Sequence, residues 1–242
     1  MSDDFYVGYV PRAPRRLGAW IRTHVILLVA GSMALALALT GSQRPFPTAD
    51  FEYGRTRTFS GILREFPVPS LELENGRRAL LVAPGKHGAA EVIRGQDGFR
   101  ADLAGTRIQR DGVLMIEVTP GSIRRVNAPR AGADVWTSMG DVELRGEVVD
   151  SKCYLGVMNP GEGKVHRDCA VRCISGGVPP ALVARDANGH RQLFLLTGAG
   201  GRPINREILG YIGEPVTVTG RLFRSDDRFR LETDVKSIRR VE

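Results

Sequence analysis

The sequence predicts a mainly β protein: one N-terminal transmembrane helix, then two tandem five-stranded barrels, the second carrying a short Cys/His-bearing helical insert. Three observations predict it. Val25–Ser42 (VILLVAGSMALALALTGS) is the only long apolar run and contains no charged residue. A stretch recurs without a gap, as GTRIQRDGVLMIEVTPGSIRRV from Gly105 and GRLFRSDDRFRLETDVKSIRRV from Gly220. The chain is also rich in glycine and proline and poor in aromatics, with short alternating segments, a balance that favours β structure with many turns.

The apolar run is close to the roughly 20 residues that cross a bilayer as a helix. Segment 1–24 precedes it, and residues 25–42 are the expected span. Arg12, Arg15, Arg16 and Arg22 lie before the run, against Arg44, Asp50 and Glu52 after it. By the positive-inside rule the N-terminus stays in the cytoplasm, and everything after residue 50 is periplasmic. Trp20 suits the interface. A cleaved signal peptide is the competing reading. The leading segment is long for one and contains Asp3, Asp4, Pro11 and Pro14, which favours an uncleaved single-pass anchor in the cytoplasmic membrane. Arg15-Arg16 lacks the setting of a twin-arginine signal.

The repeat divides the rest into copies at 55–127 and 141–242, with 128–140 as linker. Matching strand starts, Phe59-Ser-Gly61 and Leu144-Arg-Gly146, open the two copies. The second copy is longer between its marker glycines by about the length of a Cys/His segment, the insert 153–180. Strands are expected at Val142–Val149, Ala181–Arg185, Gln192–Leu196, Val216–Phe223 and Arg228–Glu232. The Asp186-Ala-Asn-Gly189 turn joins the second and third. Ile204, Ile208, Leu209 and Ile212 stand at helical spacing, so a short helix is expected over Ile204–Ile212, stopped by Gly213 and Pro215. Three strands, a short helix and two strands resemble the OB-fold, a five-stranded barrel whose closure removes exposed edges. Half of a β-sandwich is the alternative.

All three cysteines lie in C-x12-H-x2-C-x3-C, within DSKCYLGVMNPGEGKVHRDCAVRCISGG. Cys153, His166, Cys169 and Cys173 supply the donors that a tetrahedral zinc, copper or iron–sulfur site uses. A helix over 165–174 puts His166, Cys169 and Cys173 on one stripe, with Cys153 arriving from a neighbouring element. Met158 is a further candidate ligand if the metal is copper. Lys164 ends a glycine-rich stretch that could cradle an anion, although a plain turn fits that stretch better. The spacing is not a zinc ribbon's, so two other readings stay open. Cys153 with Cys169 or Cys173 could form a stapling disulfide, with no cofactor at all. Alternatively, Cys169 near a helix start could act as a redox thiol, with Cys153 or Cys173 as its resolving partner.

The OB-fold commonly binds ligands on strands two and three and through the loop between strands one and two, where the insert falls. In layout only, the chain is similar to a membrane-anchored periplasmic OB-fold haem chaperone of cytochrome c maturation. Cys-x2-Cys-His, the c-type haem signature, is absent. The Cys-Tyr-Leu-Gly-Val-Met, Gly-Lys-x-His and Cys-Ile-x-Gly-Gly-x-Pro-Pro phrases over 141–242 resemble those of an uncharacterised bacterial membrane-protein family. That resemblance implies no activity.

No paired carboxylates, Ser/His/Asp order or nucleophile elbow stands out, and His24, His87 and His190 are isolated in sequence. The arginine pairs at 124–125 and 239–240 read as solvated strand ends rather than as a nucleic-acid surface. The expectation is a non-enzymatic accessory or electron-transfer subunit whose partners are the membrane and other membrane or periplasmic proteins.

Overall fold

The computed structural model describes residues 13–43, 49–126, 131–185 and 189–241. The chain forms two compact units, Met1–Phe46 and Pro47–Glu242. The first contains helix α1 (Arg15–Ser42). Its 28 residues span about 42 Å at 1.5 Å per residue, more than the roughly 30 Å of a bilayer's apolar core. It starts before the apolar run because Arg15, Leu17 and Ala19 are good helix formers and Pro14 bars extension backwards. Thr23 and Thr40 donate their hydroxyls to the carbonyls of Ala19 and Ala36, so neither needs water. The helix is long and apolar enough to anchor in a membrane. Arg12 and Arg44 lie outside the described residues.

The second unit is two closed five-stranded barrels. The first has β1 (Arg57–Arg64), β2 (Ser70–Leu73), β3 (Arg78–Ala83), β4 (Arg100–Arg110) and β5 (Val113–Val118). They close in the order β1-β2-β3-β5-β4-β1, with β3–β5 the parallel pair. The second barrel repeats this with β6 (Thr137–Asp150), β7 (Pro180–Arg185), β8 (Arg191–Thr197), β9 (Pro215–Ser225) and β10 (Arg228–Glu232). Its parallel pair is β8–β10. This is the strand order of the OB-fold.

The sequence repeat reappears as a repeated register. Ala79 pairs with Leu114 in the first barrel as Phe194 pairs with Phe229 in the second. Arg124 and Arg125 pair with Asp102 and Ala101 as Arg239 and Arg240 pair with Thr217 and Val216. Asp111 and Asp226 occupy the same positive-φ turn position, at φ 50° and 53°.

Two expectations need correction. Ile204–Ile212 is not a helix but one turn followed by a short 3-10 segment, Ile208–Tyr211. Ile204, Ile208 and Ile212 are all buried, so their spacing records three visits to the barrel core, and glycines at 210 and 213 disfavour a longer helix. Within the expected linker 128–140, of which residues 131–140 are described, β6 already begins at Thr137 and Asp134 is built into the barrel junction. Asn127 and the Asp186–Asn188 part of the expected turn fall outside the described residues. The observed strands otherwise contain every expected one, extended by zero to five residues at each end.

Each barrel has its own apolar core, around Leu81, Leu103 and Ile116 in the first and Leu182, Leu196 and Leu231 in the second. A third core lies between them. Leu80, Val82, Ile108 and Met115 of the first barrel meet Val149, Tyr154, Leu155, Val183, Leu193 and Leu195 of the second and its insert. Burying such a side chain contributes about 1.5–3 kcal/mol.

Polar contacts fix the seam's register. The ammonium of Lys152, 1% exposed, donates to the carbonyls of Ala83 (2.9 Å) and Gly85 (2.7 Å) and pairs with Glu117 (2.5 Å). Arg110 donates to the Tyr154 carbonyl at 2.8 Å and lies 4.1 Å above its ring. Asp134 is clasped between Arg78 and Arg228, one from each barrel. Gly88 and Gly176 let two backbones touch, with Gly88 N–H donating to Gly176 O at 3.0 Å.

A Cβ on Gly176 would stand 1.9 Å from the Lys86 carbonyl, whereas one on Gly210 meets nothing within 4 Å. Gly176→Ala is expected to lower unfolding free energy by about 1–3 kcal/mol, and Gly210→Ala to stay within about 0.5 kcal/mol. Denaturant titration of the full chain in detergent checks both. Burial alone would raise the Asp134 pKa, but the Arg78 hydrogen bond and charge, with Arg228, outweigh it and hold the carboxyl below its ordinary range. Its stabilising contribution is thus complete above the unfolded-state value of about 3.9 and is lost as pH falls through the lower folded value. Acid melts should show a loss of stability below about pH 4 that Asp134→Asn removes, at the cost of lower stability at neutral pH.

Candidate metal centre

The insert leaves β6 at Asp150 and returns at Pro180. Asp150 caps the turn that follows, its Oδ1 accepting the Cys153 N–H at 2.8 Å. Cys153–Val157 forms one wide helical turn that buries Cys153, Tyr154 and Leu155. A 3-10 turn, Lys164–His166, then leads into α2 (Arg167–Ser175). Gly177 ends α2 with φ 95°, and the Val178 N–H returns to the Cys173 carbonyl.

This path brings the sequence candidates together. Donor atoms of Cys153, His166 and Cys169 lie within 4.8 Å of one another, and so do those of Asp150, Cys153 and Cys173. Cys153 is common to both groups. Its Sγ is 3.9 Å from that of Cys173. Two thiolates on one tetrahedral ion, each about 2.3 Å from it, are separated by about 3.8 Å. All three cysteines are free. Cys153, Cys173 and His166 are 1–4% exposed, and Cys169 is partly exposed. The cluster could bind a metal.

Met158 and Lys164 do not share this setting. Met158 is 45% exposed, unlike the buried thiols, and Lys164 is exposed on the turn before α2.

Sequence reasoning missed two residues. Asp150 is fully buried, and its Oδ2 lies 2.9 Å from His166 Nε2, within hydrogen-bond distance. An ionised carboxylate there accepts from the Nε2–H tautomer, which leaves Nδ1 as the ring nitrogen able to bind an ion, as in carboxylate–histidine–metal arrangements. The Asp-x-x-Cys spacing, a capping pattern, was the available signal. Lys86 comes from the first barrel, and its Nζ donates to Cys169 Sγ at 2.8 Å. Nothing in the local sequence marks it, since its partner is 83 positions away.

Electrostatics divide the buried thiol pair. The Cys153 thiol is pushed up by its hydrogen bond to Cys173, by burial and by the Asp150 charge. Cys173 is pushed down, first by that same hydrogen bond and then by the Lys86 ammonium, against the effect of burial. In the metal-free protein Cys173 is therefore the more readily ionised of the two. Cys169 raises the Lys86 pKa by accepting its hydrogen bond, so the ammonium stays charged.

The chain matches no protein-family model and no curated protein.

Removing Asp150 would orphan two buried donors, the Cys153 N–H and the His166 ring N–H. Asp150→Ala is expected to cost about 2–5 kcal/mol in chemical denaturation, and Asp150→Asn less, because its side-chain oxygen still accepts one of them.

Proposed function

We propose that the chain is a single-pass protein of the cytoplasmic membrane whose periplasmic barrels are held around one zinc ion, and that it serves as an accessory subunit to other envelope proteins. The arginines before the apolar run support the orientation. The single observation carrying the metal assignment is the convergence of three thiols and one imidazole from two turns of the insert, next to a cation from the other barrel.

Cys153, His166, Cys169 and Cys173 would hold the ion. Four protein donors of this kind form a closed structural zinc site, which contributes folding energy and leaves no position for a substrate. Three thiolates on a divalent ion leave one net negative charge beside that of Asp150, and the Lys86 ammonium partly offsets them. An iron–sulfur cluster inserts iron and sulfide atoms between its thiolates and spreads them, so donors this close suit a single ion. The exposure of Met158 likewise favours zinc over a thioether-assisted copper site.

The Cys153–Cys173 contact favours a second reading, a dithiol exchanging electrons with a partner, in which Cys173 attacks and Cys153 resolves.

Elemental analysis with a thiol count, on the full chain extracted in detergent, separates the two. The zinc reading expects one zinc per chain, thiols silent until chelation, and loss of the metal in each of Cys153→Ser, Cys169→Ser, Cys173→Ser and His166→Gln. Asp150→Asn should weaken zinc affinity by about 10–100-fold. A metal-free chain with Cys153 and Cys173 reversibly oxidised and Cys169 free would overturn it in favour of the dithiol.

A further inference from the structure

Away from the cysteines, the barrel junction gathers four arginines, Arg64, Arg78, Arg228 and Arg230, each with a side chain no more than 8% exposed. They share three carboxylates. Glu72 serves Arg64 and Arg78, Asp134 serves Arg78 and Arg228, and Glu232 serves Arg230. Asp226 stands 4.0 Å from Arg78 but is 63% exposed, so solvent screens it. Among the described residues, one buried positive charge is left over.

Donors are left over as well. Among the described residues, Nε of Arg78 and both Nε and Nη1 of Arg228 are buried without a hydrogen-bond partner. Arg230 has unpartnered nitrogens too, but its guanidinium lies 4.4 Å from the Phe223 ring centre and 5.1 Å from that of Trp136, whose faces receive it. Among the described residues, Arg228 has one ring against it, that of Trp136 at 4.9 Å. Burial, and then the like charge of Arg78, depress its pKa, as expected for a crowded cation.

Arg78 and Arg228 both line a cavity of about 30 Å³, together with Gln192, Leu80, Val113 and Leu193. The carboxylate of Asp227, at its rim, belongs to an exposed residue. That volume suits one or two waters or one monatomic ion, and it is too small for phosphate or an organic acid.

We propose that this cavity binds one small inorganic anion, of which chloride is the physiological example, between Arg78 of the first barrel and Arg228 of the second. The anion completes the charge balance and the donor pairing, and so strengthens the seam. The site is independent of the metal centre.

The test compares melting of the full chain in detergent in sodium gluconate and in sodium chloride at equal ionic strength, alongside chloride-35 NMR line broadening. Chloride should raise the melting temperature by about 3–5 °C once it exceeds its dissociation constant about tenfold, and the chloride line should broaden. Val113→Leu, which fills the cavity without touching either arginine, should abolish both effects. Arg228→Lys, which keeps the charge but loses the Nε and Nη1 donors, should do the same and serves if the first variant fails to fold. Equal melting in both salts with no broadening would overturn the site and assign the cavity to water. A chloride effect that survives a folded variant would overturn it by placing the ion elsewhere.

Discussion

Strands β3 and β8 are buried on both faces, and the rest of the molecule depends on that double burial. In β3, Ala79 and Leu81 point into the first barrel while Leu80 and Val82 point into the seam. In β8, Phe194 and Leu196 point into the second barrel while Leu193 and Leu195 face the seam. Both are third strands, part of the face through which an OB-fold usually meets its ligand. Each barrel has spent much of that face on the other, with the insert between them. The pair therefore behaves as one compact unit instead of two modules on a string.

The insert's chemistry follows from this arrangement. A loop with three cysteines leaving β6 would be solvated if it had nothing to lie against. Here Tyr154 and Leu155 enter the seam, Lys152 is held by two carbonyls and a carboxylate of the first barrel, and Lys86 meets Cys169 from the same side. Burial raises the cost of ionising thiols, and for Cys173 the Cys153 hydrogen bond and then the nearby cation lower it again. The first barrel supplies the charge and much of the burial around the donor cluster.

Part of this was legible in the sequence, for identifiable reasons. Barrel closure repeats one strand order, so the repeated unit shows as the Ser-Ile-Arg-Arg-Val ending in both copies, and the register repeats at Arg125 and Arg240. The helical stripe of His166, Cys169 and Cys173 was readable because α2 is local. Double burial also left a trace, since LLV in β3 and LFLL in β8 are unbroken apolar runs where a half-exposed strand would alternate. The isoleucines of Ile204–Ile212 misled, because recurrent burial at every fourth residue imitates a helix whatever the backbone between does.

The sequence alone determined the membrane-length helix, the duplication, the barrel order and the four-residue Cys/His cluster. All of these are carried by composition or by short-range spacing. Only the tertiary structure decided that the two barrels share a core, that Asp134 belongs to a clasp rather than a linker, and that Asp150, Lys86 and Lys152 surround the cysteines. For the clasp and the two lysines the reason is distance along the chain. Lys86 and Cys169 are 83 residues apart, and Lys152 and Gly85 are 67 apart. No local pattern encodes a pairing that exists only once two separately closed barrels have buried their faces against each other.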